Sequence, residues 1–186
     1  MPLERLTSPT TLPVSLARAR EYLRVDDTLD DALVSDLVAA AARRIEHMTG
    51  LALITGQWRL WGDCLPQDGI IRIPLAPVQS IDEVAVRTGT GWQVVAAADW
   101  QLDAASRPPR LRMVNLWPQP DGGLNAVRIT LTAGFGADET AVPEDIRLAV
   151  LILAAHAYEF REGNIAERGM PPEVRSLLSG WRALVL

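Results

Sequence analysis

Lysine is absent from this chain of 186 residues, so all 18 of its positive side chains are arginine. Codon bias in a GC-rich genome is the plain account; the functional one is that a planar guanidinium suits ion pairs and interface contacts better than an ammonium does. Positive charge is also outnumbered: 23 acidic residues leave a net charge of -5. That balance argues against sequence-independent binding of phosphate backbones, which needs a basic face. Cysteine is reduced to Cys64, which excludes an internal disulfide and, without other soft ligands nearby, a structural zinc site. Long apolar runs are missing too. The longest, Leu148 to Tyr158, is broken by His156 and falls short of the roughly 20 residues that a membrane span needs, so it is expected as a core helix. Met1 to Arg5 carries no apolar segment of a secretion signal, and synthesis in a reducing cytoplasm is expected.

Catalytic motifs are equally scarce. Thr88-Gly89-Thr90-Gly91-Trp92 holds a Gly-x-Gly but lacks the third glycine and the following helix of a dinucleotide loop, so it reads as a hairpin turn. There is no Walker-type phosphate loop and no Gly-x-Ser-x-Gly elbow, and Cys64 beside Asp63 has no local histidine. Asp26, Asp27, Asp30, Asp31 and Asp36 invite a calcium reading. A loop begun at Asp26, however, has Asp31 where glycine is required and Leu37 where glutamate is, and helix capping accounts for the aspartates more simply. His156, Glu159 and Glu162 share a helix face, but a metal would need ligands from another element and His47 is the only other histidine. The expectation for His156 is a half-buried ring bonded to a carbonyl or carboxylate. No catalytic, cofactor-binding or metal residue is assigned, and no cofactor is expected.

What is present is a pattern of helices at both ends and strands between. Thr7 to Pro13 reads as an extended arm. Ser15 can cap a helix through about Arg24, with Leu16, Ala19, Tyr22 and Leu23 on its apolar stripe. After an acidic turn at Asp26 to Asp31, Leu33, Leu37, Ala41, Ile45 and Met48 recur at helical spacing until Gly50 stops the helix. Val127, Ile129 and Leu131 alternate with Arg128, Thr130 and Thr132, the rhythm of a strand with one wet face. Shorter strands are expected at Gln57 to Trp61, Ile70 to Ile73, Glu83 to Thr88, Gln93 to Ala96 and Arg110 to Val114. Five of the six tryptophans (Trp58, Trp61, Trp92, Trp100 and Trp117) lie in this stretch, either as a bulky core or as anchors for a partner. Pro143 is expected at the first position of a third helix running to Gly163, and Pro171-Pro172 opens a last helix that ends at Trp181 to Leu186. The fold class expected is α+β: a helical core with a β-rich insert, in one domain made of an N-terminal arm and helices (1–52), the insert (53–133) and C-terminal helices (134–186).

Several segments carry a resemblance. Ala40 to Gly50, Leu53 to Leu60, Ile71 to Ile81, Gly134-Phe135-Gly136, Val142 to Arg147 and Ala155 to Glu162 follow one another as in the head-to-tail connector, or adaptor, proteins of long-tailed bacteriophages, prophages and gene transfer agents, which the chain resembles over nearly its whole length. The resemblance implies a structural virion protein without cofactor or catalytic residues. It implies a ring, expected to be twelvefold, beneath the portal at the head-tail junction, contacting the portal protein on one side and a tail-side stopper or tail-completion protein on the other. DNA would meet it only in transit, and an acidic subunit suits a lumen that does not retain phosphate.

A closed ring needs two different faces that meet heterologously. The candidates are the exposed sides of two helices, where Arg43, Arg44, Arg147 and Arg161 could pair with Asp36, Glu144, Asp145 and Glu159 of a neighbour; the competing account is solvated faces with weak intrachain pairs. Apolar residues crowd the chain end, and Trp181, Leu184, Val185 and Leu186 are expected to dock on the portal. Two other classes stay open. A small ligand-binding or enzymatic α+β protein would need a concave pocket with converging polar groups. A helix-turn-helix regulator would need basic residues where the chain has Asp26 to Asp31.

Overall fold

The computed structural model describes residues 1–160 and 169–181. The protein is α+β and divides into two compact units, one built from residues 1–9 and 55–134, the other from 10–54 and 135–186.

The second unit is helical, with α1 (Leu16–Leu23), α2 (Asp31–Thr49), α3 (Glu144–Glu159) and the short α4 (Pro172–Leu177). Gly50 ends α2 as expected: its φ of 68° is a left-handed turn that glycine adopts without cost, and its N–H closes on the Glu46 carbonyl at 2.9 Å. The buried stripe of α2 is rotated from the one expected. Val34, Val38, Ala41, Ala42, Ile45 and Thr49 are fully buried, while Leu33, Leu37 and Met48 flank them half-buried. The cause is that α2 packs on both α1 and α3, so it buries a broad arc and not a single line of side chains. Ser15 precedes α1, but its hydroxyl makes no capping bond; its backbone N–H donates to the Glu139 carboxylate. Pro143 stands just before α3, which begins at Glu144. Pro172 opens α4, and the chain is in a turn by Trp181; residues 182–186 of the expected last helix lie outside the described residues.

The first unit holds β1 (Leu3–Arg5), β2 (Gly56–Gly62), β3 (Ile70–Arg72), β4 (Val78–Thr88), β5 (Gly91–Val94), β6 (Trp100–Asp103), β7 (Arg110–Met113) and β8 (Val127–Ala133). They form an antiparallel five-stranded sheet in the order β1-β2-β8-β4-β5 and a three-stranded one in the order β3-β7-β6. The alternation read in β8 holds, with Val127, Ile129, Leu131 and Ala133 buried and Arg128, Thr130 and Thr132 half-exposed. Thr88 and Gly91 close a tight β4–β5 hairpin, as the Gly-x-Gly implied. Two strands were not legible. β1 is three residues long and owes its strand form to pairing with β2, and β6 is four residues whose partner is β7. β4 begins at Val78, five residues before the expected start, because register shifts at Val78/Ser80 and Ile81/Glu83 interrupt its alternation. β5 is likewise Gly91–Val94, not Gln93 to Ala96.

Candidate assembly surfaces

Strand pairing puts a defined set of side chains on the wet face of the larger sheet. Directly opposed residues share a face, so Trp61, Arg128, Ala85 and Val94 form one row across β2, β8, β4 and β5. Arg87 and Trp92 stand beside that row, and Glu4, Arg59, Thr130 and Glu83 make the next. The Trp92 ring lies 6.2 Å from that of Trp61 and has the Arg128 guanidinium 4.7 Å from its centroid; the guanidinium of Arg59 is 5.4 Å from the Trp61 ring. The Trp61 indole N–H donates to Glu4 at 3.1 Å. Ala85 beneath is wholly covered, while Trp92 and Val94 remain 40% and 66% exposed.

Arg128 is paired with Glu83 at 2.7 Å and Arg87 with Asp121 at 2.8 Å, but Arg59 makes no ion pair among the described residues. The hydrogen bond from Arg87, reinforced by the Gly123 N–H, holds the Asp121 carboxyl below the usual carboxylate range. Arg110 does the same to Asp103 on the smaller sheet.

The indoles thus divide. Trp117 is the core residue, 2% exposed with its N–H on the Asp99 carbonyl at 2.9 Å, whereas Trp61 and Trp92 belong to a surface cluster. The signal for this was strand parity: Trp61 alternates with the buried Leu60 and Gly62, which puts it on the wet face. Which partners would join it was not legible, because Arg87, Trp92 and Arg128 come from three other strands.

On the helical unit the acidic turn is tightly organised. Asp27 caps the Leu29 N–H at 3.0 Å, Arg20 donates to the Asp26 carbonyl at 2.8 Å and pairs with Asp31 at 3.1 Å, and the Tyr158 hydroxyl donates to Asp30 at 2.6 Å. The aspartates act as caps and tethers. The turn carries Leu29, 85% exposed, at its tip, a residue that sequence reading passed over. Among the residues proposed for a ring interface, Asp36, Arg43, Arg44 and Glu159 are exposed, and Arg147 reaches Glu144 of its own helix at 3.7 Å. Arg161 lies outside the described residues. Asp145 accepts the Trp181 indole N–H at 2.6 Å, and that indole packs edge-on against Phe135 at 5.6 Å. Leu184, Val185 and Leu186 lie outside the described residues.

His156, expected to bond a carbonyl or carboxylate, instead lies against the Phe160 ring at 4.8 Å. Cys64 is exposed. Among the described residues no group of three or more histidine, cysteine, aspartate or glutamate side chains is placed to hold a metal, and no helix is long and apolar enough to cross a membrane. A cleft of about 220 Å³ in the helical unit is lined by Met48, Met170 and Leu178 with Thr49 and Arg175, and the Thr49 hydroxyl is spent on the Ile45 carbonyl at 2.6 Å.

The charge is divided unevenly. The sheet unit carries eight arginines against eight acidic residues, the helical unit ten against fifteen, so the whole net charge of -5 belongs to the helical unit.

The chain is thus an α+β protein with exposed aromatic and charged surfaces on two small units. The comparisons with known proteins narrow the class. The family described as phage gp6-like head-tail connector proteins matches residues 13–91. Three solved structures match the entire chain and 97% of their own. One, from the virion of a native gene transfer agent particle, is 31% identical with a TM-score of 0.85; one from the neck of an empty particle, computed with C6 symmetry, is 32% identical at 0.85; one from the neck of a native particle, computed with C12 symmetry, is 32% identical at 0.80. None of the curated proteins matches. The chain belongs to the head-tail connector family.

Proposed function

We propose that this chain is a structural protein of the particle neck, at the head-tail junction, where copies of it form a ring that joins the capsid portal to the tail and lets DNA pass. The observation that carries this reading is the full-length likeness to chains from the necks of gene transfer agent particles, with both chains covered almost completely. The C12 symmetry of one such neck supports a twelvefold ring, and the portal and a tail-side stopper or completion protein are the partners its two ends would meet. The role is assembly and not catalysis.

The charge distribution suits this role. A neutral sheet unit and an acidic helical unit give a subunit whose net charge does not favour retaining a duplex in transit. The ring contacts are assigned to Asp36, Arg43, Arg44, Glu144, Asp145, Arg147, Glu159 and Arg161, and the portal contact to the chain end, with Trp181 rooting Leu184, Val185 and Leu186 on the helical unit. Charge-rich helix faces form weak pairwise contacts that gain strength when many copies are held side by side, so the free protein is a monomer that closes on the portal.

The test is removal. Particles assembled without this chain, or with residues 182–186 deleted, accumulate as DNA-filled heads without tails in electron micrographs. Normal tailed particles in the complete absence of the chain would refute the function. Normal tailed particles carrying only the truncated chain would refute the portal contact.

A further inference from the structure

The wet face of the larger sheet has the composition of an interface centre, and the chain itself carries its complement. Tryptophan and arginine are the residues most enriched where interfaces hold their binding energy. Here the exposed Trp92 and Val94 and the half-buried Trp61 form an apolar surface edged by Arg59, Arg87 and Arg128, and Arg59 has no carboxylate partner among the described residues. The helical unit presents the opposite arrangement. Leu29 stands almost free at the tip of a 3-10 turn, flanked by the exposed carboxylates of Asp26 and Asp27. That turn is held by four side-chain bonds, so docking would order little that is not already ordered.

We propose that Leu29 of one copy seats on the Trp61–Trp92–Val94 face of the next copy, with Asp26 and Asp27 meeting the arginines around it. Charge complementarity selects the occupant: the face offers an unneutralised guanidinium, and the unit bearing Leu29 holds the entire net charge of -5. Two different patches of one chain meeting in this way make a heterologous contact, which propagates from copy to copy and closes into a ring when the rotation permits. The inference rests on the ring reading above. It adds a second contact, made by the sheet unit, to the helix faces already assigned.

The test uses assembled particles. A chain carrying C64S, L29C and V94C is incorporated and oxidised, and its necks are separated on a denaturing gel without reductant. A ladder of cross-linked multimers is expected, collapsing to monomer on reduction and absent when only one of the two new cysteines is present. Necks that contain the triple variant in many copies yet yield only monomer would overturn this contact while leaving the ring intact. The unaltered chain found in no neck at all would overturn the ring reading itself. As a second arm, L29D, with circular dichroism unchanged, lowers incorporation by about tenfold or more, the loss of one buried anchor. Incorporation equal to that of the unaltered chain would sink the proposal.

Discussion

Removing the indole N–H of Trp181 tests whether the chain end is rooted on its own helical unit. Trp181 donates to Asp145 at 2.6 Å and meets Phe135 edge-on at 5.6 Å. A T-shaped aromatic pair contributes about 0.5–1.5 kcal/mol, and a hydrogen bond to an ionised group about 1.5–3 kcal/mol. Both partners here are half-buried, so water replaces part of the lost bond and the lower end of that range applies. Trp181→Phe keeps a ring against Phe135 and forfeits the N–H, a cost of about 1–2 kcal/mol. Asp145→Ala removes the acceptor, but it also strips a carboxylate from the first turn of α3, so its own cost is not a clean measure of the contact. The double-mutant cycle cancels that extra effect and isolates the pair. Urea unfolding of the full chain, followed by far-ultraviolet circular dichroism, should give a coupling of about 1–2 kcal/mol. A coupling within about 0.3 kcal/mol of zero would refute the reasoning, since distant independent sites add to within that margin.

Trp117→Ala should cost about 3–5 kcal/mol, because it empties a fully buried site, whereas Trp92→Ala should cost under about 1 kcal/mol; equal costs in the same denaturation assay would contradict the division of the indoles. The lowered pKa values of Asp121 and Asp103 mean that their pairing with Arg87 and Arg110 stabilises fully above the ordinary carboxylate range and is lost as pH falls through the lowered values. Asp121→Asn should therefore flatten the acid limb of the stability curve below about pH 4, and an unchanged limb in acid titration would show that the pair does not matter. Replacing His47, His156 and Cys64 together by Ala should leave particle assembly intact apart from small stability losses, and failure of a folded triple variant to assemble would reopen a metal or thiol role.

Local chemistry was enough to reveal much of the secondary structure. Gly50 had to end α2, because only a residue without a Cβ takes a left-handed turn freely, and β8 had to be a strand with one wet face, because its apolar residues recur every second position. The order of the segments from Ala40 to Glu162 likewise carried the resemblance to the connector family, since that order is a property of the chain alone. Tertiary structure decided everything that depends on pairing between distant residues. β1 exists because Leu3 to Arg5 lies against β2, and α2 turned its buried arc to Val34 and Val38 because two helices pack on it. The cluster of Trp61, Trp92, Arg59, Arg87 and Arg128 draws on four strands whose order, β2-β8-β4-β5, no local pattern encodes. A period of two reports which face a residue occupies; which residues share that face is set by register, and register is a property of the folded sheet.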